Sequence, residues 1–116
     1  MKKENIEVIL TSNGQISEGK YLAIKDEDHI SYLDNDVKVC LYFKNGMKMT
    51  RENDEYLLDL NFIIDKTTKG KYFLKNMDKT IDLYIATDYI IVEPNLMIIK
   101  YKVLTTDQEV IFKLKM

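Results

Sequence analysis

Tryptophan is absent from this chain, and cysteine, histidine, proline and arginine each occur once. One cysteine, Cys40, excludes an intrachain disulfide and any multi-cysteine metal site. One histidine, His29, starves the usual catalytic arrangements: a thiol or hydroxyl nucleophile needs an oriented base, and nothing brings His29 near Cys40. No apolar run approaches the roughly 20 residues of a membrane-spanning helix. The start, Met1-Lys2-Lys3-Glu4-Asn5, lacks the apolar segment of a signal peptide, so the expected location is the cytoplasm. A formal net charge of -2 gives no bulk attraction to nucleic acid or to an anionic membrane, and neither is expected as a partner. Nowhere does a helical period persist for three turns.

What is present is alternation. The 116 residues, 46% hydrophobic and 31% charged, describe one soluble globular domain spanning residues 1–116. The strongest hairpin signal surrounds Asn45-Gly46. A three-residue loop, Lys44-Asn45-Gly46, pairs Phe43 with Met47, Leu41 with Met49 and Val39 with Arg51. Gly46 then takes the left-handed position of a bulge. A two-residue loop would mix apolar and polar faces, so the three-residue reading is preferred. The next strand alternates too, with Tyr56, Leu58, Leu60, Phe62 and Ile64 inward. A four-residue loop sets Arg51 opposite Tyr56 and Met49 opposite Leu58.

The remaining strands follow the same logic. Asn5 to Thr11 points Ile6, Val8 and Leu10 to one side and ends at Ser12-Asn13-Gly14. Gly19 opens a second strand, and His29 to Leu33 forms a third. Asp65 to Gly70 reads as a long loop, followed by a short strand from Lys71 to Lys75. Thr80 to Thr87 turns Ile81, Leu83 and Ile85 inward. Tyr89 to Val92 lacks alternation and is expected to be buried on both sides or packed at a rim, before Pro94 breaks the ladder. A last hairpin pairs Val103 with Val110, Tyr101 with Phe112 and Ile99 with Leu114. About ten short strands with tight turns predict an all-β fold: a small closed antiparallel β-barrel of about 8–10 strands, with the last strand near the first. An immunoglobulin-like sandwich is the alternative.

An arginine ending a strand, a Tyr72-led strand, Thr80-Ile81-Asp82-Leu83-Tyr84-Ile85-Ala86-Thr87, then Ile98-Ile99-Lys100-Tyr101 and a final alternating strand resemble the YwiB-like family from about Val37 onward. These are small uncharacterised bacterial proteins. The resemblance implies a small lipocalin-like (calycin-type) β-barrel and carries over no catalytic residue.

Four groups of residues merit weighing for chemistry. Asp26-Glu27-Asp28-His29 with Asp34-Asn35-Asp36 offers oxygens for a hard cation, but its spacing fits no calcium loop, and solvated turns are the expectation; no metal and no cofactor is predicted. Cys40, facing away from Val39 and Leu41, is expected to be a modestly exposed, inert thiol. Lys100, Lys102, Lys113 and Lys115 stripe the last hairpin, with Lys100 opposite Lys113, and are read as guards of a sheet edge. Arg51, the one arginine among sixteen lysines, ranks highest. With Tyr56 it would cap an apolar interior lined by Met47, Met49 and Leu58, where the planar guanidinium suits a carboxylate. Against this stands a rim position with Arg51 paired to Glu52 or Glu55. The resulting expectation is a non-catalytic barrel, monomer or homodimer, that binds a small apolar or anionic amphipathic ligand; a structural or protein-interaction module with a filled core is the alternative.

Overall fold

The computed structural model describes residues 2–116. Ten antiparallel strands run in order: β1 (Lys2–Ser12), β2 (Gln15–Lys25), β3 (His29–Asp34), β4 (Val37–Tyr42), β5 (Met47–Glu52), β6 (Tyr56–Phe62), β7 (Thr67–Leu74), β8 (Lys79–Glu93), β9 (Leu96–Val103) and β10 (Gln108–Lys115). Each strand pairs with its neighbour in sequence, and β1 pairs with β10 to close the barrel. The fold is therefore an all-β closed antiparallel barrel, and the sandwich alternative is excluded. Closure satisfies backbone groups that an open meander would leave along two edges.

The inward faces follow the sequence alternation. Val39, Leu41, Met49, Leu60, Tyr101 and Phe112 are buried, and Phe43, Leu58 and Leu83 pack against them as partly buried neighbours. Around Asn45-Gly46 the register is the expected one, Leu41 with Met49 and Val39 with Arg51. Gly46 has φ +117°, beside Asn45 at +61°. The chain's other Asn-Gly pair, Asn13-Gly14, makes the two-residue turn instead, joining Ser12 to Gln15 with both φ positive.

Several expectations are corrected. Arg51 lies opposite Leu58, and Met49 opposite Leu60. The turn is tighter than four residues because the Asn53 side chain accepts the N–H of Glu55 at 2.8 Å and of Tyr56 at 3.0 Å. The last hairpin shifts likewise: Tyr101 faces Val110, Ile99 faces Phe112, and Gln108 faces Val103. Both shifts are by two residues, so every side chain keeps its face. The shift also separates Lys100 from Lys113; these lie opposite Ile111 and Ile98.

Gly19 does not open β2 but sits mid-strand, where an added Cβ would collide with the Tyr21 ring. Gly70 likewise belongs to β7, not to a long loop; its bare Cα permits β7 to approach β6, since a Cβ there would lie 2.7 Å from the Asp59 carbonyl. The strand expected from Lys71 therefore starts at Thr67. Ile64 lies outside β6 and is 46% exposed. Tyr89 to Val92 continues β8 past a register shift between Thr87 and Tyr89. The shift inverts the alternation, so Ile90 packs on the core while Tyr89 is exposed; Val92, on the same face as Ile90, is exposed near the strand's end. Cys40 is buried, not modestly exposed.

One seam is thin. Strand β1 pairs with β2 along its whole length, whereas β2 and β3 share two residue pairs, Ile24 with Ser31 and Lys25 with Ile30. Inside the seam, Tyr21 packs against Tyr32, the rings tilted by 31° with centroids 4.8 Å apart, and donates to Asp34 Oδ1 at 3.1 Å.

Candidate functional site

The turns β1–β2, β3–β4, β5–β6, β7–β8 and β9–β10 gather at one end of the barrel, and there the interior is not filled. A cavity of about 270 Å³ opens at this end, lined chiefly by Leu10, Met49, Leu58, Leu83, Tyr101 and Val110, with Arg51 among them. The alternation of β5 places Met47, Met49 and Arg51 on one face, so the arginine reaches this end because it is the last inward residue of its strand. Gln108 donates to Ser12 Oγ across the mouth, tying β10 to the β1 end.

Arg51 is neither fully buried nor free, with a side chain 25% exposed. Its Nη2 lies 3.4 Å from Asp34 Oδ2, a carboxylate supplied by the end of β3. It does not pair with Glu52, which is held by Lys75 at 2.7 Å. Burial alone would lower the guanidinium's pKa, but the phenols of Tyr56 and Tyr32 and the Asp34 carboxylate outweigh that and raise it. Burial raises the phenol pKa of Tyr101 to about 12, with the nearby Arg51 opposing, and that of Tyr32 further still. The arginine thus stands among neutral tyrosines with one carboxylate beside it.

Of the five residues singled out from sequence, Arg51, Met49 and Leu58 line the cavity. Tyr56 is half-buried above it, its ring edge-on to Tyr72 at 5.5 Å. Met47 lies toward the opposite end, buried across from Phe62. Sequence reasoning missed Asp34 and the tyrosines Tyr21, Tyr32 and Tyr101. Asp34 was read as one more solvated turn residue, and no local spacing links it to Arg51, seventeen positions away. The tyrosines carried a signal, since Tyr32 and Tyr101 fall on inward positions of their strands.

A second hollow of about 60 Å³ adjoins the first. Leu10, Arg51 and Phe112 line both. The small hollow adds Val8 together with Ser17, Tyr21, Tyr32 and Asp34, so its walls are mixed where the large cavity's are mostly apolar.

The other groups weighed from sequence do not assemble. The two acidic turns lie at opposite ends of β3, and His29 is engaged by Asp28 at 2.8 Å and Asp26 at 3.6 Å. Among the described residues no group of three His, Cys, Asp or Glu side chains could share a metal ion. Lys100, Lys102 and Lys115 pair with Asp88, Asp107 and Glu7.

Among the described residues no helix is long and apolar enough to cross a membrane. No family model and no curated protein matches the chain. Among proteins of known structure, the chain is similar to the YwiB protein from Bacillus subtilis, with a TM-score of 0.51 over 97% of this chain and 92% of that one; at 12% identity the likeness concerns the fold alone.

Proposed function

We propose that this barrel is a non-catalytic binding protein of the lipocalin-like kind, taking one small amphipathic molecule into its open end. Barrels of this size hold small ligands at the mouth, in cavities that are mostly apolar with a few polar groups fixing orientation. The observation that carries the reading is an arginine in the wall of an apolar cavity, engaged by Asp34 through Nη2 and by the Tyr56 phenol, with donors of the guanidinium left over. A guanidinium so placed retains donors for a ligand's acceptor group, and its planar fork is not taken up by Asp34. At about 30 Å³ per water-sized group, 270 Å³ admits a chain of roughly eight carbons. Each methylene buried contributes about 0.8 kcal/mol. Methionine adapts to the shape of such a tail, and Met49 supplies it. Cys40 and His29 lie outside the cavity, and the reading includes no chemical step. It places the protein in the cytoplasm, where a lone thiol stays reduced.

The test uses eight-carbon amphiphiles, octanoic acid and octanamide, in thermal unfolding. At a hundredfold excess over Kd, binding to the native state adds about 2.7 kcal/mol and raises Tm by several degrees. Leu83→Trp, which fills the cavity from β8, should remove the shift. If neither amphiphile moves Tm, or if the shift survives Leu83→Trp, the binding reading is wrong and the barrel is a scaffold.

A further inference from the structure

The large apolar cavity and the small, more polar hollow meet at Arg51. We infer that the ligand's head group is neutral and carries both a hydrogen-bond acceptor and a donor, as a primary carboxamide does, and that Arg51 and Asp34 read it together. This deepens the binding reading above and rests on it.

The argument starts from charge. The small hollow is bordered by Arg51 and Asp34, whose formal charges cancel, and Glu18 at its edge is exposed to water. A carboxylate entering it would meet the guanidinium, but also Asp34, whose Oδ2 lies 3.4 Å from the same nitrogen. Like charges at such range disfavour each other, and a partly buried setting screens them poorly. A simple anion is therefore the wrong guest, even though a lone arginine in a sequence suggests one.

A carboxamide satisfies both walls. Its carbonyl accepts from the guanidinium, and its N–H₂ donates to Asp34 Oδ2. That oxygen has lone-pair capacity beyond Arg51, because an ionised carboxylate oxygen takes two bonds. Tyr21 fixes the carboxylate by donating to Oδ1 at 3.1 Å and does not occupy Oδ2. The ring of Tyr32 packed against Tyr21 restrains it in turn, so the acceptor is held in place before a ligand arrives. Size agrees: about 60 Å³ is two water-sized groups, enough for the amide oxygen and nitrogen and too little for a larger head. Gly19 makes the hollow possible, because any side chain there would strike the Tyr21 ring.

The experiment compares octanamide, octanoate and octylamine by calorimetric titration at neutral pH, on the wild-type protein and on Asp34→Asn. The wild type should bind octanamide at least about tenfold more tightly than octanoate, the scale of a single unfavourable charge contact. Asp34→Asn removes the repelling charge and should reverse or erase that preference, while Tm and circular dichroism show the barrel intact. Octanoate binding as tightly as octanamide would overturn the head-group inference and leave the binding reading standing. Octylamine binding most tightly would overturn it too, assigning the site to a cation. A preference for octanamide unchanged in Asp34→Asn would remove Asp34 from the recognition. If none of the three binds, the failure belongs to the binding reading and takes the inference with it.

Discussion

The two ends of the barrel are built from the same strands and packed to different standards. At one end Ile30, Leu41, Met47, Phe62, Met97 and Leu114 interlock, none more than 6% exposed. At the other, Leu10, Leu58 and Leu83 are only partly buried around a cavity, and the inward positions include an arginine and tyrosines. Density confers stability, because each filled contact adds dispersion and removes apolar surface from water. A site needs room, and the open end has room because the closed end holds the strands in register. The difference suggests that stability and binding respond to different substitutions.

The largest expected effect strikes the closed end. Leu41→Ala should cost about 2–5 kcal/mol, whereas Leu83→Ala at the cavity should cost about 1 kcal/mol or less, since it enlarges a space already present. Denaturant unfolding of the pair checks this, and equal costs would erase the distinction between the ends.

Alkali should probe the open end. Burial holds Tyr101 neutral up to about pH 12, against 10 for the unfolded chain. The neutral form is thus favoured by folding: its contribution is complete below pH 10 and is lost as pH rises toward 12. That loss is expected to be roughly 2 kcal/mol for this residue, and Tyr101→Phe should flatten the corresponding part of a stability–pH curve.

Gly46→Val addresses the turn that ends the dense half. At φ +117° a β-branched residue is strained, and more than about 1 kcal/mol of stability should disappear. A neutral result would mean the turn rearranges freely. The smallest effect is assigned to Arg51→Met, which should change the ligand-free Tm little, within about 1 kcal/mol, because a partly exposed ion pair at 3.4 Å adds little net stability. The same variant should lose amphiphile binding, so that function changes at the open end without the fold.

How far this was legible in the sequence depended on whether the signal was local. The inward faces of β4, β5, β6 and β10 were readable from alternation, because a strand's period of two is imposed on the sequence itself. Strand pairing was less so. The slip at Arg51–Leu58 came from turn chemistry, an Asn53 side chain closing a turn two residues shorter than expected, and Tyr101–Val110 slipped by two residues as well. Gly19 and Gly70 were taken for punctuation, since a glycine signals either a turn or a close approach, and only the neighbouring strand decides which. The site was half visible. Arg51 stood out by composition, but Asp34 meets it over the intervening strand β4, and no spacing in the sequence records that meeting.

Every seam of this barrel but one joins strands adjacent in sequence. In kinetic terms the hairpins can form one at a time over short loops, each paying a small closure entropy. The β1–β10 seam instead brings together Val8 and Leu114, from opposite ends of the chain, and gains nothing until the intervening strands have curved far enough. Closure should therefore come late, with contacts such as Leu10 on Phe112 largely unformed in the folding transition state while the Asn53 turn is already made. A substitution at Leu10 should then speed unfolding and leave the folding rate nearly unchanged. On that view, the strands lining the open end include the last to arrive, and the site is completed when the barrel shuts.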